Sequence, residues 1–241
     1  MRKKSDKRQQ KTMGFMRRGG KRQGAGRKPK GAKAGVSHGA RQKLSRHYPV
    51  HVTVRLGRGL PRLRNKKALR VLKNALAAGS DRFGFRLAHF SVQANHLHLI
   101  CEANNQKALS RGMQGLSIRV AKGLNRLWQR KGRVFADRYH AHILRTPREV
   151  RNALCYVLNN ARRHAVRLGK AILDPFSSGF WFNGWKETRG REPPGVPGVP
   201  AVEEEPPLAR ATTWLLTKGW RRRGLIGMRE VPGRVSHSLV S

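Results

Sequence analysis

Apolar and polar residues alternate over several short stretches of the chain. Residues Val50 to Leu56 alternate and are rich in β-branched side chains, which predicts a β-strand. Phe85 to Val92 and Asn95 to Glu102 are the second and third predicted strands, and the short polar link between them indicates a hairpin. Val134 to Leu144 is extended, with strand character at one end.

Three other stretches have the spacing of helices. Leucines recur at helical spacing from Asn65 to Ala78, and Gly79 ends that helix. A longer helix is predicted from Leu109 to Trp128. A third begins at Thr146, where an N-cap Thr, a Pro and a Glu form a helix-start pattern, and it continues to about Leu168. This order of elements predicts an α+β fold of the ferredoxin-like or RRM-like split βαβ type, an antiparallel sheet with helices on one face.

The two ends of the chain differ in composition from this core. Residues 1–46 contain 17 Lys and Arg and one acidic residue, so we predict a disordered basic arm. Residues 47–186 form the predicted domain, residues 187–210 a linker rich in Pro and Glu, and residues 211–241 a basic C-terminal tail. Within that tail, residues 211–226 contain two tryptophans and three consecutive arginines, which indicates a short basic helix or hairpin.

The charge of the chain points to a polyanionic partner. Its 241 residues include 53 Lys and Arg and 12 Asp and Glu, which gives a formal net charge of +41. Because basic side chains that neutralise phosphates release counterions, nucleic acid is the expected partner. We expect no membrane partner, since the chain has neither a clean amphipathic basic helix nor an apolar run of about 20 residues. The two cysteines, Cys101 and Cys155, lack metal-binding or redox spacing and are typical of a reducing cytoplasm.

Two histidines lie in the third predicted strand. Because side chains alternate across a strand, His96 and His98 project from one face and Leu97 from the other. Two imidazoles about 7 Å apart along a strand can converge on one metal ion. The alternative is a pair of polar residues on a solvated sheet face. Glu102 shares that face and is expected to be a solvated strand end rather than a partner of the histidines, and His51 is expected to be an ordinary surface or core histidine.

The last predicted helix contains a second candidate pair. Tyr156 and Asn160 are four residues apart and therefore share one helical face. A helix lying across the sheet would bring the Asn160 amide to the metal as a third ligand and place the Tyr156 hydroxyl beside it. A metal ion held in this way polarises a phosphate, and a covalent phosphotyrosine conserves the energy of the broken phosphodiester, which suits strand transfer. The alternative for Tyr156 is a core residue with its hydroxyl at the rim.

These residues give the chain a family resemblance. From about Pro49 to Trp185 the sequence resembles the HUH single-tyrosine transposases, which are insertion-sequence-200-like, and most closely the REP-associated tyrosine transposases of bacteria. The resemblance rests on three features: the stretch Asn95–Leu99, the block Arg133–Tyr139, and a tyrosine followed four residues later by Asn160. It implies the antiparallel sheet and hairpin-forming single-stranded DNA ends as the substrate.

The resemblance also implies a role for each site residue. Tyr156 would be the nucleophile, and His96, His98 and Asn160 would bind Mg²⁺ or Mn²⁺, although histidine pairs by themselves favour zinc or later transition metals. Cleavage would leave a 5′-phosphotyrosine and a free 3′-hydroxyl. Ala161 stands where the family has a proline after the ligand Asn, so the helix can continue through this position.

Tyr139 is the rival nucleophile. It lies between Arg138 and His140 on an extended segment that offers no helical scaffold, so Tyr156 is preferred. Arg138 and His140 are expected to contact DNA or to brace the site. The pair Arg162 and Arg163 is expected to contact phosphates, or else to form a solvated helix end.

Two classes of function fit these observations. The first is an enzyme of the HUH single-tyrosine type that cleaves and transfers single-stranded DNA with a divalent metal ion. The second is a non-catalytic nucleic-acid binder, either a domesticated transposase or an RNA-binding sheet domain. RNA-binding sheets need exposed aromatic residues on central strands, whereas the third strand here presents His96 and His98. We expect a bacterial cytoplasmic, nucleoid-associated protein that is a monomer or a homodimer.

Overall fold

The computed structural model describes residues 42–163, 172–189 and 205–232. Residues 1–41 of the basic arm predicted for residues 1–46 therefore lie outside the described residues. The described elements, in chain order, are β1 (Val50–Arg55), α1 (Lys66–Ala77), β2 (Asp81–Arg82), β3 (Phe85–Val92), β4 (His96–Ala103), α2 (Gln106–Leu127), β5 (His140–Ile143), α3 (Pro147–Leu158), α4 (Asn160–Arg163) and α5 (Trp214–Thr217), with 3₁₀ turns at Ser178–Trp181 and Gly219–Arg223.

The strands form one antiparallel sheet in the order β2-β3-β4-β1-β5. The predicted α+β fold with an antiparallel sheet is confirmed. The last strand is shorter than the extended segment from Val134 to Leu144, because before β5 the chain meets the end of β1 at an isolated bridge between Leu56 and Phe135 and not along a continuous ladder. Among the residues that the structure describes, no helix combines the length and the apolar character needed to cross a membrane.

One face of the sheet packs against α1 and α2. The alternating valines of β1 are buried there together with Leu97 and Leu99 of β4. Along α2 the buried residues follow the apolar spacing that the sequence showed: Leu109, Met113, Leu116, Val120 and Leu124. Burial of each such side chain stabilises the fold by roughly 1.5–3 kcal/mol.

The opposite face packs against α3 and residues 205–232, which we call the C-terminal segment. The expectation of helices on one face is corrected in this respect, since helices cover both faces. The reason is that Ile100 of β4 and Ala88 of β3 are apolar residues on the same side as His98 and need a cover. Leu154 of α3 is among the residues that bury them.

The start of α3 follows its predicted local signals. The Thr146 side chain accepts a hydrogen bond from the Glu149 backbone N–H at 3.2 Å, and the Glu149 carboxylate accepts one from the Thr146 N–H at 2.9 Å. Pro147 occupies the first turn, where its missing N–H costs nothing. Past Arg163, the predicted continuation to about Leu168 lies outside the described residues.

The end of α3 is set by a contact that is distant in sequence. The helix stops at Leu158 because Asn159 has φ −104° and ψ 18°, outside helical geometry. The Asn159 side chain donates hydrogen bonds to the carbonyl oxygens of Gly227 and Glu230 at 3.0 and 2.9 Å. The predicted single helix is thus interrupted here, although Ala161 by itself would allow it to continue.

The C-terminal segment contributes to the core. Its buried apolar side chains pack against α3 and are Leu215, Leu216, Trp220, Ile226 and Met228. Glu102 anchors the segment: its carboxylate is 1% exposed and accepts hydrogen bonds from the backbone N–H groups and the hydroxyls of Thr212 and Thr213. The predicted solvated position of Glu102 is therefore wrong, because a buried carboxylate is stable here when each oxygen has donors.

Candidate active site

The register of the sheet gathers polar side chains on the face that α3 covers. Thr53 of β1 lies opposite both His98 of β4 and His140 of β5, and His51 lies opposite His142. Directly paired residues of antiparallel strands project from the same face. Three neighbouring strands therefore contribute to one patch of imidazoles and a hydroxyl.

His96 and His98 converge within this patch. Their Nε2 atoms are 3.0 Å apart, and their rings are perpendicular with centroids at 4.7 Å. The remaining nitrogen of His96, Nδ1, lies 2.8 Å from Oδ1 of Asn95. Nδ1 of His98 lies 3.2 Å from both Oγ1 of Thr53 and Nε2 of His51. Protein groups thus contact both δ nitrogens, and the two ε nitrogens face each other at hydrogen-bonding distance.

Tyr156 of α3 lies over the same patch. Its ring centroid is 5.0 Å from that of His98 and 5.7 Å from that of His51, edge to face in both cases. The ring is half-buried. The structure therefore brings together the histidine pair and the tyrosine, which lie about sixty positions apart in the printed sequence.

Asn160, the first residue of α4, is fully buried. Its Oδ1 and Nδ2 atoms have no hydrogen-bond partner among the described residues. A buried amide left unsatisfied costs about 1–3 kcal/mol, so such a group calls for an explanation. Coordination of a cation by the amide oxygen would satisfy that oxygen.

The donor set that surrounds the histidine pair is limited. Within the described part of the chain, no three side chains of His, Cys, Asp or Glu are grouped so that they could hold a metal ion. A metal ion at His96 and His98 would therefore need a protein donor of another type. The unsatisfied amide of Asn160 is such a donor.

The residues expected to contact DNA do not lie together. His140 is exposed on β5, in the row of Thr53 and His98. Arg138 is exposed beside a groove of about 910 Å³ between α2 and the segment 132–139. The side chain of Arg163 lies outside the described residues.

Arg162 makes internal contacts. Its Nε donates to the carbonyl oxygen of Met228 at 2.9 Å, and its Nη2 donates to the carbonyl oxygen of Ile172. Burial, and then the positive charge of Arg229, lower the pKa of Arg162. A phosphate at this position would compete with the two backbone carbonyl oxygens for the guanidinium. In this structure Arg162 therefore links α4 to Ile172 and to the C-terminal segment.

The rival tyrosine lies on the other side of the sheet. The hydroxyl of Tyr139 is 3.4 Å from Oγ of Ser110 in α2, and its ring lines the same groove as Arg138. Because α2 covers the face opposite the histidines, the sheet separates Tyr139 from His96 and His98.

His51 and Thr53 are neighbours of the site that sequence reasoning missed. Their only signal is that they alternate with the buried valines of β1, which places them on the polar face of that strand. Which residues of β4 they meet depends on the register between two strands that are more than forty residues apart.

Comparisons with known proteins identify a similar family and a similar fold. The family model of IS200-like transposases matches residues 48–160, a range that includes the histidine pair, Tyr156 and Asn160. Among solved structures, the chain is similar to a REP-associated tyrosine transposase bound to a REP hairpin, at 17% identity and a TM-score of 0.51, covering 74% of this chain and 100% of that one. The resemblance that the sequence indicated is confirmed.

A second solved structure is less similar to the chain. A structure described as that of a transposase from Deinococcus radiodurans R1 is 16% identical over 45% of this chain and 85% of the other, and its TM-score of 0.34 is too low to carry an argument. No curated protein sequence matches the chain. Residues 48–160 match the family of IS200-like transposases.

Proposed function

We propose that the protein cleaves and rejoins single-stranded DNA through a covalent phosphotyrosine on Tyr156, with a divalent metal ion held by His96, His98 and Asn160. The observation that carries the proposal is the position of Tyr156. The centroid of its ring lies 5.0 Å from that of His98, and Nε2 of His98 lies 3.0 Å from Nε2 of His96. Family membership supports transposition of DNA as the reaction.

The residues fit Mg²⁺ or Mn²⁺. The Nε2 atoms of His96 and His98 face each other at 3.0 Å, so both imidazoles could bind one divalent ion. The buried amide of Asn160 supplies a hard oxygen donor, which these ions prefer. When bound, the ion polarises the scissile phosphate as a Lewis acid.

The side chains of the patch have separate tasks in this reaction. The Tyr156 hydroxyl oxygen loses its proton and forms a bond to phosphorus, while the bond from phosphorus to the 3′ oxygen breaks and that oxygen takes up a proton. The products are a 5′-phosphotyrosine and a free 3′-hydroxyl. Thr53 and His51 contact Nδ1 of His98 and would hold that ring in the orientation needed to bind a metal ion through Nε2. Attack by the 3′-hydroxyl on the phosphotyrosine reverses the step and rejoins the strand.

The substrate proposed is a hairpin-forming single-stranded DNA end. A REP hairpin is the ligand named for the similar transposase structure. His140, which is exposed on β5 opposite Thr53, is proposed to contact the strand, and Arg138 and Arg163 are proposed to contact phosphates. Because one chain contains the tyrosine and both histidines within contact of each other, a monomer would suffice for the site, and a homodimer stays an alternative.

The test is incubation with single-stranded hairpin DNA and Mg²⁺ or Mn²⁺, followed by a denaturing gel that reveals a covalent adduct. Tyr156→Phe should abolish the adduct while DNA binding survives, and His96→Ala should lose metal-dependent cleavage. Tyr139→Phe is the matched control and should retain the adduct. An adduct that persists in Tyr156→Phe and disappears in Tyr139→Phe would contradict the assignment, and binding with no adduct at all would indicate a non-catalytic binder.

A further inference from the structure

The C-terminal segment contains a tryptophan that the proposed reaction does not use. Trp214 is 48% exposed, whereas Trp185 and Trp220 are fully buried. It borders a pocket of about 330 Å³ that three separate parts of the chain form. The lining of this Trp214 pocket is His47, Tyr48, Arg145, Pro147, Trp214 and Leu215.

The indole is held in place despite its exposure. The guanidinium carbon of Arg222 lies 5.1 Å from the centroid of the Trp214 ring. Gly219 lies so close to the ring that a Cβ there would be 2.6 Å from it, so the ring rests on bare backbone. Thr213, the preceding residue, is anchored through its backbone N–H and hydroxyl to the buried carboxylate of Glu102 at 2.8 and 2.7 Å. A fixed aromatic side chain loses little entropy when it binds a ligand.

The charge beside the indole is positive. Arg145 lines the pocket and Arg222 stacks on the ring of Trp214. The next residue, Arg223, has an exposed side chain. The pocket lining includes no acidic residue. An exposed aromatic ring next to several guanidinium groups is the combination that binds unpaired nucleic-acid bases, by stacking on the base and attracting the phosphates.

The pocket lies at the amino end of the helix that bears Tyr156. Pro147 of the pocket is the first residue of α3, and Tyr156 lies nine residues later in the same helix, about 14 Å along its axis. A strand that leaves the site along α3 towards its amino end would reach the pocket within a few nucleotides.

We propose that the Trp214 pocket is a second contact site for single-stranded DNA, in which a base replaces the guanidinium of Arg222 on the ring of Trp214, and Arg222 and Arg145 then meet the adjacent phosphates. The inference rests on the single-stranded substrate of the proposed function, but it does not depend on the tyrosine chemistry.

The test measures binding of an oligothymidylate of about ten nucleotides, in a Tyr156→Phe background without metal, so that no strand is cut. Fluorescence anisotropy of the labelled DNA gives the affinity, and quenching of tryptophan emission reports stacking. Trp214→Ala should weaken binding by about 5-fold to 150-fold, the range for loss of one base stack. Trp214→Phe should keep most of the affinity and lose the quenching, and Arg222→Gln should reduce the slope of log K against log salt by about 0.7.

The matched control is Phe83→Ala, which removes an aromatic side chain that is 87% exposed at the β2 edge of the sheet and should leave the affinity unchanged. Unchanged affinity in Trp214→Ala, an equal loss in Phe83→Ala, or equal affinity for a blunt duplex would overturn the proposal. If Trp214→Ala fails to fold, quenching that persists in Trp214→Phe, or an unchanged salt slope in Arg222→Gln, would overturn it instead. A missing covalent adduct in the cleavage assay would contradict the proposed function. It would not affect this binding test, which uses a Tyr156→Phe background without metal.

Discussion

Replacement of Asn160 should separate stability from metal binding. The buried amide of Asn160 has no partner for either polar atom within the described structure, and this costs about 1–3 kcal/mol. Asn160→Leu removes that cost with a side chain of similar volume, so little cavity or strain is added. We therefore expect the variant to have a free energy of unfolding about 1–3 kcal/mol higher than the wild-type protein when metal is removed with EDTA.

The same substitution should cancel stabilisation by metal. A ligand that binds only the folded state at about 100 times its Kd raises the free energy of unfolding by about 2.7 kcal/mol. The wild-type protein should gain about this much in Mn²⁺, and Asn160→Leu should lose most of the gain. Urea denaturation followed by circular dichroism, once in EDTA and once in Mn²⁺, measures both effects.

The neighbouring residue provides the control. Asn159 is also a buried amide, but its Nδ2 donates to two carbonyl oxygens of the C-terminal segment. Asn159→Leu should therefore lower the free energy of unfolding by about 1–3 kcal/mol, equally with and without metal. If Asn160→Leu behaves in the same way, destabilised in EDTA and still stabilised by Mn²⁺, then the amide has a structural role and the ligand assignment fails.

Two further predictions concern titratable groups. Glu102→Gln should lower the free energy of unfolding by about 3 kcal/mol, because hydrogen bonds from Thr212 and Thr213 lose an acceptor. Urea denaturation measures this change. The control is Glu149→Gln, since an amide can serve in the capping box, and an equal effect there would contradict the prediction. Burial lowers the pKa of His89 to about 4, although Glu102 acts to raise it. Since the unfolded state then binds more protons, stability should fall by up to about 3 kcal/mol as pH drops from 6.5 to 4. His89→Gln should flatten this profile, and an unchanged slope would refute the reasoning.

Local signals were sufficient for most of the elements. Alternation identified β1, β3 and β4, because each has one face buried under α1 and α2. Helical spacing identified α1, α2 and the start of α3, where the capping box is formed within four residues of chain. Such features depend on neighbours in sequence, so periodicity and capping residues reveal them.

Long-range contacts explain what the sequence did not reveal. The pairing of Thr53 and His51 with β4 is a matter of register, and register between distant strands leaves no trace in local composition. The buried apolar residues of the C-terminal segment lie on short helices and on irregular backbone. Such segments show no regular spacing of apolar residues that the sequence could reveal. Glu102 looked like a solvated strand end because its donors, Thr212 and Thr213, lie 110 and 111 residues further along.

The helix that bears Tyr156 is held from two sides, and only one of them lies within the family-matched range. On one side α3 packs on the sheet beside His98. On the other, Arg151 makes a bidentate ion pair with Glu230 at 2.8 and 3.0 Å, and Asn159 bonds two carbonyl oxygens of the same segment. Residues 48–160 therefore contain the proposed nucleophile and ligands, whereas the contacts that fix the tyrosine helix over them come from beyond that range. Because a displacement of about 1 Å at a reacting group can cost two orders of magnitude in rate, the proposed reaction should depend on these distant contacts as well as on the histidines.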